Sequence, residues 1–190
     1  ALGPLGLSAV PVGTAESLDV GGSVIFAAAG GRRHAIHAHV TARSPFVASW
    51  EYALDRAIFT APVHLNWAGS GVLDDKGSLV GIGSLFVQNS GLDQVDGNMS
   101  VPIDLFKPIA EVMKTTGLSG RPVRPWLGLY AADGEEFVVV AGMVGRGPAA
   151  HAGLRVGDEI LEVGDEAVSD LHHFYRAVWS QGVAGTEIQL

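Results

Sequence analysis

The chain has 190 residues, of which 47% are hydrophobic and 17% charged, with 26 glycines, no cysteine and a formal net charge of −8. That apolar share supplies a buried core and excludes wholesale disorder, and the length fits one ordinary domain or two small ones. The acidic balance, without any lysine-arginine cluster, argues against a nucleic-acid surface. The missing cysteines exclude disulfides, thiolate zinc sites and a cysteine nucleophile, and no apolar run reaches the ~20 residues that span a bilayer. The start, at Ala1, lacks the basic and apolar regions of a signal peptide.

Short apolar runs between turn residues predict strands through the first half. Residues 24–27 follow a Gly21-Gly22 turn. Residues 35–41 alternate, with Ile36, Ala38 and Val40 on one face and Ala35, His37 and His39 on the other. Val72-Leu73, the polar turn Asp74-Asp75-Lys76-Gly77 and residues 79–82 predict a hairpin, extended by residues 85–87. The pattern suits an antiparallel barrel or sandwich.

The period changes near Val101. Asp104 is placed to cap a helix carrying Leu105, Ile109, Val112 and Met113 at helical spacing, with Gly117 at its end. Residues 119–125, with Pro122 and Pro125, read as a linker. Beyond it come predicted strands at 127–131, 137–141 and 158–163 and a helical turn at 148–152 stopped by Gly153. Ser169 is positioned to cap a helix through Trp179, and one more strand starts at 186–190.

Gly147-Pro148-Ala149-Ala150, Ala152-Gly153-Leu154 and Gly157-Asp158-Glu159-Ile160-Leu161 resemble the "SPAAxAGLxxGDxI" core of bacterial PDZ domains. The resemblance implies a module that captures peptide C-termini. Trp126, Leu127, Gly128 and Leu129 correspond to its carboxylate-binding loop, where backbone N–H groups receive the terminal carboxylate. It puts Phe174 and Val178 on the helix wall of the peptide groove, with core packing an equal alternative for each.

Upstream, Asn66-Trp67-Ala68-Gly69-Ser70-Gly71-Val72-Leu73-Asp74, Gly77 and Leu79-Val80-Gly81-Ile82 resemble the "GNSGGPLLDxxGxVxGI" pattern of HtrA/Deg-type trypsin-like serine proteases. Leu18-Asp19-Val20-Gly21-Gly22-Ser23-Val24 and Val101-Pro102-Ile103 extend the match. The implied fold is mainly β, the C-terminal half of a trypsin-like double β-barrel plus an α+β PDZ domain. Its expected parts are 1–118, the linker 119–125, and a PDZ domain at 126–190 that is incomplete at its C-terminal end.

In this register the nucleophile position is Ala68, whose methyl group has no lone pair to attack a carbonyl. The family's oxyanion donors are the N–H groups at Ala68 and Asn66. Ser84, Leu85 and Phe86 fall on the strand that lines the substrate, with barrel core the alternative for Phe86. Ser70 is a rival nucleophile only if the hairpin register breaks, so it reads as a turn serine. The family's histidine base and its aspartate belong to a first barrel, for which residues 1–19 leave no room. His37 and His39 read as a solvated strand face, His64 as a residue able to line the cleft, and the Asp74/Asp75 and Asp93/Asp96 pairs as turns. No metal or other cofactor is expected.

Two functions follow. One is part of an HtrA-like endopeptidase acting on unfolded proteins or peptides, inactive as it stands, with peptide C-termini bound at the PDZ groove. The other is a natural pseudoprotease that binds peptides without hydrolysis. The resemblance implies the bacterial periplasm or envelope and leaves a homo-oligomer open.

Overall fold

A computed structural model describes residues 6–90 and 95–190, so Asp93 lies outside the described residues. The chain divides into two compact units. The first comprises Ala1–Pro45 and Asp55–Ser119, the second Phe46–Leu54 and Gly120–Leu190.

The first unit is built on six strands: β1 (Ser23–Ala27), β2 (Ala35–Ala48), β3 (Tyr52–Ala61), β4 (Gly71–Leu73), β5 (Leu79–Ser90) and β6 (Val95–Pro102). They close into a barrel in the order β1-β2-β3-β6-β5-β4. Closure leaves no unpaired edge, and the two-residue period sends alternate side chains inward. Val24, Phe26, Ala38, Val40, Val72 and Val80 accordingly fill the interior, while His37 and His39 face solvent. The His37 ring nitrogen meets the Ser23 hydroxyl at 3.2 Å. The 74–77 turn is held by Asp74, whose Oδ1 accepts from the Lys76 and Ser78 N–H groups at 3.0 and 2.8 Å.

The expected helix after Val101 is shorter than its spacing suggests. Two 3-10 turns, Ile103–Leu105 and Lys107–Ile109, precede α1 (Ala110–Thr116), which ends at Gly117. Asp104 therefore does not cap α1. Its carboxylate instead accepts from the Thr14 hydroxyl and the Ala15 N–H, both at 2.7 Å, and from Lys107 at 3.2 Å. Burial acts to raise this carboxyl, but those donors outweigh it and hold it below the ordinary aspartate range. Asp104→Asn is expected to cost on the order of 1 kcal/mol near neutral pH. The folded state binds the Asp104 proton less tightly than the unfolded chain. The contribution is therefore complete above the unfolded aspartate value and fades as pH falls through the depressed folded one. Urea unfolding from pH 7 down to pH 3 reads both; a wild-type to variant gap that stays constant over that range contradicts the assignment.

The second unit holds β7 (Leu129–Asp133), β8 (Val138–Met143) and β9 (Glu159–Ile160) in one sheet, and β10 (Glu162–Val163) with β11 (Glu166–Ala167) in a small ribbon. Two helices complete it, α2 (Pro148–Ala152) and α3 (Leu171–Ser180). Leu129, Ala131, Val138, Val140, Ile160, Val163, Phe174 and Val178 share its core. Asp170, not Ser169, caps α3, accepting from the His173 N–H at 2.8 Å. The strand expected at 158–163 is split into β9 and β10, and no strand forms at 186–190, where the Gln189 carbonyl accepts from the Gly164 N–H. The expected linker is tied into this unit: the Arg124 guanidinium lies 3.9 Å over the Trp179 ring, and the Val123 carbonyl accepts from the Ala184 N–H.

Candidate functional site

The turn leading into β4 is laced by backbone bonds. Ser70 N–H donates to the Trp67 carbonyl at 3.1 Å, Gly69 N–H to the Gly83 carbonyl at 2.9 Å, and Gly83 N–H to the Ser70 carbonyl at 2.7 Å. Gly83 is required there, since a Cβ would lie 2.2 Å from the Trp67 carbonyl oxygen and 2.7 Å from the Phe26 ring. Ala68 is exposed at the apex, on a cleft of about 480 Å³ whose lining includes Ala27, Leu65, Asn66 and Trp67. Ser70 is buried and its hydroxyl, at the edge of the same cleft, donates to the Asn66 carbonyl, the bond a turn serine makes.

His64 does not line the cleft. It is buried, and its ring stacks on Phe26 with centroids 5.4 Å apart. Its Nε2–H donates to the His34 carbonyl and its Nδ1 accepts from the Asn66 N–H at 3.0 Å. That pair of bonds fixes the ring as the Nε2–H tautomer and leaves neither nitrogen for proton transfer. It also commits the Asn66 N–H, the expected oxyanion donor, to the His64 ring. Buried Asn98 completes the cluster, its Oδ1 accepting from the His64 N–H at 2.7 Å.

Ser84, Leu85 and Phe86 lie on β5, at and just beyond a register shift against β6. Phe86 is 42% exposed, so it is not barrel core.

In the second unit, Trp126 is exposed, Leu127 and Leu129 are buried, and Gly128 adopts a left-handed φ of 71°. The Leu127 and Gly128 carbonyls accept from Ala149 and Val144 N–H groups, both at 2.9 Å. Those bonds orient the peptide planes, and the Leu127 N–H donates to Glu51 Oε1 at 3.3 Å. Burial raises the Glu51 carboxyl above its usual range, against hydrogen bonds from the Leu127 and Gly128 N–H groups that lower it. Beside it, the Ala131 N–H on β7 donates to the Ser49 carbonyl at 3.2 Å, and the Tyr175 hydroxyl on α3 donates to the same oxygen at 2.7 Å. Burial pushes the Tyr175 hydroxyl up to about 12. Phe174 and Val178 are buried in the core cluster, against which Val47 also packs.

Glu51 and the Tyr175 hydroxyl were not among the expected site residues. Tyr175 shares the buried face of α3 with Leu171, Phe174 and Val178, so its position in the sequence marks it as core and not as a donor. Nothing local marks Glu51, which is brought to the loop by the β2–β3 connection.

A PDZ domain family model matches residues 139–182. Among curated proteins, "Serine endoprotease DegS" of Haemophilus influenzae is 27% identical over 110 residues, covering 56% of this chain and 32% of its own length. A "Probable periplasmic serine endoprotease DegP-like" of Pseudomonas fluorescens is 28% identical over 143 residues, covering 67% of this chain and 29% of its own length. The chain thus spans about a third or less of those relatives. Among solved structures, a serine-to-alanine form of the HtrA-type protease AlgW with tripeptide superposes with a TM-score of 0.59 at 24% identity, over 96% of this chain and 64% of that one. A serine endoprotease from Yersinia pestis gives 0.52 at 20% identity, over 92% and 58%. The chain resembles the HtrA/Deg-type serine proteases, with the mainly β fold of their second barrel followed by a PDZ domain.

Proposed function

We propose that this chain is the second-barrel and PDZ portion of an HtrA-type serine endopeptidase of the bacterial periplasm or envelope, acting on unfolded proteins or peptides. The barrel domain is 1–118, apart from residues 46–54, which belong to the second unit, and the PDZ domain is 126–190, recognising peptide C-termini through the loop at Trp126, Leu127, Gly128 and Leu129. The observation that carries this reading is the turn at 66–71. It holds position 68 exposed on a cleft, by bonds to Gly83 that do not involve the side chain at 68. Ser84, Leu85 and Phe86, next along β5, are the substrate-pairing stretch of the same reading. The class needs a serine nucleophile, a histidine base and an oriented carboxylate. Alanine at 68 supplies no nucleophile, so the chain as it stands does not hydrolyse peptide bonds.

In the protein that includes the family's first barrel, Ala68→Ser is expected to confer labelling by a fluorophosphonate and cleavage of casein. A folded Ala68→Ser protein that does neither overturns the endopeptidase reading.

One feature favours the second reading, a pseudoprotease that binds peptides only. The Asn66 N–H donates to His64 Nδ1, so the turn lacks a free oxyanion donor at that position as well as a nucleophile. Under that reading Ala68→Ser stays inert, while peptides with a free C-terminal carboxylate bind and their amides do not.

A further inference from the structure

The connection between β2 and β3 belongs to the second unit, and its Ser49 carbonyl is bonded to the Ala131 N–H of β7. Ser49 and Glu51 approach Ala131 and Leu127 in antiparallel order: the Ser49 carbonyl takes the Ala131 N–H, and two residues later the Glu51 carboxylate takes the N–H groups at the loop. A peptide added as a strand places its backbone and its terminal carboxylate in this arrangement. Three further observations concern the same segment. Val47 packs against the apolar cluster that includes Phe174 and Val178. The Tyr175 hydroxyl adds a second donor to the Ser49 carbonyl. Glu51 adopts a φ of 62°, a left-handed conformation that a glutamate rarely takes. A β-turn with glycine or asparagine there would be more comfortable; glutamate is held in it with its carboxylate on the loop.

We propose that the segment 47–51 is an internal ligand of the PDZ groove, with the Glu51 side chain standing in for a peptide's terminal carboxylate. This rests on reading 126–129 as the carboxylate loop. External C-termini then bind only to the fraction of molecules whose segment has left the groove, so their apparent affinity is lowered by that fraction. The groove is a competitive site, closed by a residue of its own chain.

Glu51→Gly tests this with little risk to folding, because glycine accepts a φ of 62° without strain. Glu51→Gln keeps the side chain's size and removes its charge. The full 190-residue chain is titrated with fluorescein-labelled decapeptides of randomised sequence ending in Val, Leu or Phe carboxylate, and with the matching amides. Amide hydrogen exchange at Leu127, Gly128 and Ala131 is followed in parallel. Both variants are expected to bind the carboxylate peptides about tenfold tighter than wild type, with the amides weak throughout, and to exchange faster at all three N–H groups. Unchanged exchange overturns the internal ligand, whatever the peptides do. Faster exchange with unchanged or weaker peptide affinity overturns the competition. If no chain binds any carboxylate peptide, the recognition reading of the loop fails and the competition with it, while exchange still reports whether Glu51 holds the loop.

Discussion

Gly83→Ala is expected to destabilise the first unit by about 3 kcal/mol, the upper end for inserting a methyl group where no space exists. The added carbon would meet the Trp67 carbonyl oxygen at 2.2 Å and the Phe26 ring at 2.7 Å. Neither neighbour yields cheaply. The carbonyl also accepts from Ser70 N–H, and Phe26 is fully buried against His64. Relief requires the 66–71 turn to lift from β5, breaking the two bonds that Gly83 makes to it. The readout is urea unfolding of the chain, with Ala68→Ser as the reference. That side chain is exposed, and the change is expected to stay within about 0.5 kcal/mol. A Gly83→Ala midpoint equal to the reference would show that the turn does not approach β5 this closely.

Phe174→Ala is expected to cost the second unit about 3–5 kcal/mol, as for a large aromatic removed from a core. Phe174 is fully buried and packs on Tyr175 with ring centroids 5.2 Å apart. A side chain that merely walled a groove would lose little stability on truncation and would change peptide affinity instead. Hydrogen exchange of β7 and β8 amides under denaturant separates the two. Protection lost together across both strands marks a core residue; unchanged protection with altered peptide binding marks a groove residue.

The strands that alternate cleanly were legible. Ile36, Ala38 and Val40 against His37 and His39 sort as period two requires, and the Asp74–Gly77 turn carries the residues that such turns demand. β3 and β6 were not read, for different reasons. In β3 the run 57–61 is buried throughout, so alternation vanishes where the strand is covered on both faces. β6 buries Asn98 and Ser100 among apolar neighbours. Asn98 is paid for by its bonds to His64, which no hydrophobic pattern reveals. Local spacing also overstated the helix after Val101. Asp104, Leu105 and Ile109 keep helical intervals, but Asp104 is drawn to Thr14 and Ala15, ninety and eighty-nine residues away, and the chain turns in 3-10 steps first. The same limit hid Glu51, whose meaning comes from Leu127, seventy-six residues later.

The bonds that fasten the 66–71 turn to Gly83 run between main-chain atoms alone. The identity of residue 68 is therefore uncoupled from the architecture that presents it. A lineage carrying this turn can lose a nucleophile, or regain one, by a single substitution without crossing a poorly folded intermediate. Alanine at 68 leaves that route open in both directions, since the turn keeps its bonds to Gly83 with either side chain.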